Sequence, residues 1–107
     1  MRFPPTIHVL YIEDCPNWEG ALRLARDAAW SAGAAEVDVL ATEVSTPQQA
    51  AQLGFAGSPT ILVAGRDPFP GVRSPALKCR VFQTSGGPSG LPDRGQLVQA
   101  IRTAIAA

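Results

Sequence analysis

The sequence predicts an α/β domain built on one four-stranded mixed sheet, strand order 2-1-3-4, with three helices, all of residues 1–107 forming a single unit. Three observations carry this. Residues 6–12, TIHVLYI, are a near-continuous β-rich apolar run, the pattern of a strand buried on both faces. Shorter β-rich runs then alternate with stretches of helical period. Finally, helix-start signals stand in front of two of those stretches, at Thr46 and at Asp93.

In chain order, the first strand stops at 13–16, EDCP, and Pro16 suits the first turn of a helix over 16–32. Trp18, Leu22, Ala25 and Ala29 fall on one face of that helix, with Glu19, Arg23 and Arg26 opposite, and Gly33 ends it. Residues 36–42, EVDVLAT, read as the second strand. Thr46 and Gln49 form a capping box around Pro47, and the short helix that follows closes at Gly54. Residues 60–64, TILVA, are the third strand and 79–83, CRVFQ, the fourth. Asp93 and Gln96 cap the last helix, whose apolar stripe is Leu97, Val98, Ile101 and Ile105. The order β-α-β-α-β-β-α makes the first two strands parallel and the last two an antiparallel pair. The Pro- and Gly-rich segment 65–78 is either a wide connection or a functional flap.

Composition excludes several functions. Nine Lys and Arg balance nine Asp and Glu, so no net field draws nucleic acid or an anionic membrane. No apolar run approaches the roughly 18–20 residues of a membrane span, and the first residues lack a signal-peptide pattern, so a cytoplasmic location is expected. Two cysteines far apart in the chain are no disulfide framework. The one histidine, His8, lies seven residues before Cys15, roughly 20 Å along an extended strand, which removes Cys-His hydrolysis. Scattered possible ligands make no metal site, and no cofactor is expected.

Cys15-Pro16-Asn17-Trp18 at a strand-to-helix junction, together with Ser58-Pro59-Thr60 just before the third strand, resembles the thioredoxin superfamily in its short glutaredoxin-like form. The likeness covers nearly all of 6–106. More narrowly, DCPNW, GFAGSPTILVAGRDPF and CRVF resemble a group of small actinobacterial thioredoxin-like proteins, some of which carry the label alkylmercury lyase. The resemblance implies a reactive cysteine at Cys15 and a cis Pro59 opposite it, with Ser58 and Thr60 beside the substrate. It also matches Gly86-Gly87 to the glycine pair with which glutaredoxins touch glutathione. The chain departs from dithiol members at Trp18, which stands where C-x-x-C has its second cysteine. It departs from monothiol glutaredoxins at Glu13 and Asp14, which stand where those carry a basic residue.

The residues give Cys15 a case of their own, because the free N–H donors of a helix N-terminus favour a thiolate, while Glu13 and Asp14 oppose it by like charge. The Trp18 ring either packs as a cap or shields the thiol and faces a substrate. Cys79, at the start of the fourth strand, is expected to be buried at the far end of the sheet, on the order of 15 Å from Cys15 and beyond the roughly 7 Å a disulfide allows; a fold-back of 65–78 along the sheet is the alternative, and would bring it toward Pro59 to resolve a mixed disulfide. Three readings stay open. One is monothiol exchange through Cys15, with glutathione, another small thiol or a partner protein as co-substrate. The second is a binding module that pairs a peptide along the Pro59 edge without turnover. The third is soft-metal or organomercurial binding by the Cys15 thiolate.

Overall fold

The computed structural model describes residues 5–34, 36–69 and 73–106. The middle of the sheet is β1 (Ile7–Tyr11), flanked by β2 (Val39–Glu43) and β3 (Thr60–Val63), in the order β2-β1-β3. β1 and β2 run parallel, with Ile7 opposite Val39 and Tyr11 opposite Glu43; β3 runs antiparallel, with Ile7 opposite Val63 and Leu10 opposite Thr60. The parallel pair is joined by α1 (Trp18–Ser31), and β2 is joined to β3 by α2 (Pro47–Leu53). A separate hairpin, β4 (Phe82–Thr84) and β5 (Gly87–Ser89), precedes α3 (Arg94–Ala106).

Strand alternation makes two apolar layers. Ile7, Val9, Ile61 and Val63 face one way and pack with Ala21, Ala25, Ala28 and Ala29 of α1 and with Leu97, Val98 and Ile101 of α3. Small alanines on α1 let that helix lie close to the strands. Phe69 and Phe82 join this layer edge to face, their ring centroids 5.4 Å apart. Leu10 points to the other face, where Val44, Ala50 and Phe55 cover it. The cap of α2 forms as its residues dictate: the Thr46 hydroxyl accepts from Gln49 N at 3.1 Å, and Gly54 closes the helix in the left-handed conformation.

Three expectations are corrected. First, among the described residues the fourth strand of a 2-1-3-4 sheet does not form, and the main sheet has three strands. After β3 the chain reverses through Ala64 and Gly65, both at positive φ, so that Val63 and Arg66 bridge each other. The following segment carries the chain back toward the start of β3, and Cys79 bridges Ser58 in parallel. Phe82–Thr84 then finds its partner in Gly87–Ser89, because Ser85-Gly86 allows a tight reversal. Second, α1 begins at Trp18, not at 16: Cys15 N donates to Ile12 O at 3.1 Å and closes a turn, and Asn17 takes the N-cap position. Third, the Asp93 carboxylate is turned to the hairpin, where it accepts from Ser85 N at 2.8 Å and Ser85 Oγ at 3.3 Å. No helix among the described residues is long and apolar enough to cross a membrane.

Candidate functional site

The site lies where β1 ends and β3 begins. Leaving Tyr11, the chain makes the turn that carries Cys15, whose side of the molecule is closed enough that only 4% of the residue is exposed. Cys15 belongs to neither apolar cluster of the described residues. It stands three residues before α1 rather than on it, which corrects its expected place at the helix terminus. Asn17 makes no side-chain bond to the first turn of α1, so the N–H donors there are not capped by it. Glu13 and Asp14 are exposed. Trp18, the first residue of α1, stacks on Tyr11 with ring centroids 4.2 Å apart and planes 11° from parallel. This half-buried aromatic pair brackets the Cys15 turn on both sides in sequence.

Facing that turn is the segment Gly57-Ser58-Pro59-Thr60, with the Ser58–Pro59 peptide cis. Its side chains are buried and serve the fold. Ser58 Oγ accepts from Ile12 N at 3.1 Å, tying the two turns together. Thr60 Oγ1 accepts from Ala56 N at 2.9 Å and donates to Gly57 O at 2.5 Å, bracing the loop from within. The main chain of Ser58 is also engaged: its N donates to Lys78 O at 2.8 Å and its O accepts from Arg80 N at 2.9 Å. Residues 78–80 thus occupy the position along Ser58 that an extended peptide would need.

This pairing overturns the expected place of Cys79. Cys79 is exposed, not buried, and sits directly opposite Ser58, not at the far end of the sheet. The cause is the anchor that follows it. The Arg80 side chain is 1% exposed and forms a two-pronged ion pair with Asp67, Nη1 to Oδ2 at 2.6 Å and Nη2 to Oδ1 at 3.2 Å. Its guanidinium also lies 4.4 Å from the centroid of the Phe82 ring. Arg80 crosses so close to Gly57, at φ +108°, that a Cβ on that glycine would come within 2.8 Å of the Arg80 Cβ.

Of the residues predicted for the site, Cys15, Trp18, Ser58, Pro59 and Thr60 gather at this junction. Gly86 and Gly87 do not: they form the reversal of the β4–β5 hairpin, where Gly86 N and Gly87 O are bound by Thr84 Oγ1. What reaches the α1 terminus is the hairpin's other end, Gly90, packed against the Asn17 side chain. His8 shares a 2.6 Å hydrogen bond with the Thr42 hydroxyl, and burial lowers its pKa below the ordinary value. Sequence reasoning favoured the wrong place for Cys79 and missed the buried Arg80–Asp67 pair. The available signal was an Arg beside an apolar Val-Phe pair, which calls for a buried counter-charge. Among the described residues no group of three or more His, Cys, Asp or Glu is placed to hold a metal ion. No family model, no curated protein and no solved structure matches the chain.

Proposed function

We propose that this chain is a thioredoxin-like thiol protein that exchanges disulfides through Cys15, with the disulfide of a small thiol such as glutathione, or of a partner protein, as co-substrate. The observation that carries the reading is convergence. The chain has two thiols, and the segments that carry them meet at one residue, Ser58: the turn that ends at Cys15 is tied to it through Ile12, and Cys79 pairs with it in the parallel bridge. Thiol–disulfide exchange needs one sulfur nucleophile, and a second thiol nearby offers a route to resolve the mixed disulfide. The Tyr11–Trp18 stack, whose two residues flank the Cys15 turn in sequence, supplies an aromatic surface for the substrate's apolar part. The binding-module reading has less support, because the Ser58 main chain already pairs with the chain's own residues 78–80.

The test is a coupled disulfide-reductase assay with glutathione disulfide and with a mixed glutathione–hydroxyethyl disulfide. Turnover in the native protein and its loss, by at least tenfold, in Cys15→Ser is the expected result. An unchanged rate in Cys15→Ser removes the proposal.

A further inference from the structure

We infer that Cys79 is the thiol that attacks the incoming disulfide, and that Cys15 is the resolving thiol, the two ending as an intramolecular Cys15–Cys79 disulfide. This rests on the exchange reading above and assigns its order. Accessibility sets the order: Cys79 is exposed, whereas Cys15 is 4% exposed. The attacking sulfur must reach the substrate along the axis of the S–S bond being broken, which the exposed Cys79 offers more readily than Cys15. Cys79 is also held where a substrate strand would lie, with its neighbours Lys78 and Arg80 bonded to Ser58 N and O.

The geometry supports closure. Paired residues on neighbouring strands share a face and lie about 5 Å apart, so Cys79 Cα stands about that far from Ser58. Ser58 in turn is two hydrogen bonds from Cys15, Ser58 Oγ to Ile12 N and Ile12 O to Cys15 N, each 3.1 Å. A disulfide needs Cα atoms within roughly 7 Å, and Cys15 is tied to Ser58 only by way of Ile12, so closure requires Cys79 to leave its place beside Ser58 and move toward the Cys15 turn. Residues 73–79 are exposed or half-buried, and closure breaks the bond from Ser58 N to Lys78 O that holds Cys79 on one side. Arg80 pins the far side of that segment through Asp67, so the movement is a swing about a fixed point.

The steps balance. Cys79 Sγ attacks one sulfur of R–S–S–R; the S–S bond breaks and one RS⁻ leaves. Cys15 Sγ then attacks Cys79 Sγ, the mixed disulfide breaks, and the second RS⁻ leaves. The two protons given up by Cys79 and Cys15 pass through water to the two RS⁻ groups. One substrate disulfide is reduced by two electrons and two protein thiols are oxidised. A small thiol, two molecules per turnover, or a reduced dithiol protein resets the pair.

The experiment uses the full chain with excess 5,5′-dithiobis(2-nitrobenzoate), following released thiolate and mapping products by peptide mass. The expected result is about two equivalents released, with a 15–79 link and no retained aryl group. Cys15→Ser and Cys15→Ala should each release about one equivalent and keep the aryl adduct on Cys79. Cys79→Ser should react at least tenfold more slowly. A retained adduct on Cys15 with Cys79 free, or separate adducts on both thiols, overturns the inference and leaves exchange at Cys15 standing. Labelling of Cys79 with Cys15 still reduced after prolonged exposure overturns the inference and the exchange reading together.

Discussion

His8 shows how much one side chain in a central strand can report. It sits between Leu40 and Leu62 across the sheet, and its Nε2 is 2.6 Å from the Thr42 hydroxyl. Burial disfavours the imidazolium, so its folded pKa lies below the ordinary 6.5. The unfolded chain therefore binds the proton more readily than the native one, and stability falls wherever only the unfolded state is protonated. The His8 contribution is complete above the ordinary value of 6.5, is lost as pH drops from there through the lowered folded value, and is constant below it. Urea unfolding at a series of pH values from about 5 to about 8 should show this loss in the native protein. His8→Gln should lack it. Parallel pH profiles for the two proteins would show that His8 does not contribute.

At the scale of elements, locality decides what the sequence reveals. α2 is legible because its signals sit within a few residues: Thr46 caps Gln49 N and Gly54 closes the other end. α1 and α3 are legible from period, apart from the two residues at the start of α1 that the Ile12–Cys15 turn withdraws. The fourth strand is not legible, since its fate depends on an ion pair across thirteen residues, Asp67 to Arg80, and on a partner, Gly87-Pro88-Ser89, made of residues that rarely form strands. For the same reason Cys15 and Ser58-Pro59 could be named as site residues from the sequence, while Cys79 beside Ser58 was only the less favoured of two placements. The ion pair should therefore be the element whose loss is felt most widely. Asp67 also accepts from Phe69 N at 3.1 Å and pairs with Arg73 at 3.3 Å. Asp67→Asn leaves the Arg80 guanidinium, 1% exposed, without its counter-charge, which costs about 3–5 kcal/mol. The double variant Asp67→Asn/Arg80→Met removes the uncompensated charge and should regain much of that loss. Denaturant midpoints measure both, and a cost below about 1 kcal/mol for Asp67→Asn would show that the pair does not hold the return segment.

Across the whole molecule, the two thiols tie together parts that the chain itself joins only at a distance. Cys15 ends the turn after the central strand, and Cys79 lies on the segment returning outside the sheet. Between them run α1, β2, α2 and β3, so a Cys15–Cys79 link closes a loop over more than half of the domain. Closing a loop of that size in the unfolded chain lowers its entropy by an amount worth about 4 kcal/mol at room temperature. In a domain of about one hundred residues each kcal/mol moves the melting temperature by roughly 4 °C or more, so the oxidised protein should melt roughly 15 °C above the reduced one. Any distortion the link imposes subtracts from that rise, which makes the difference a gauge of how close the thiols already stand. Calorimetry on the purified 15–79 linked and reduced monomers reads it directly. A rise near the entropic value means that the native fold accepts the link with the small swing of residues 73–79 described above. A verified link with a lowered melting temperature means that it forms only by breaking the bridge between Ser58 and Cys79 and the packing behind it, and the two thiols are then not partners in the folded protein.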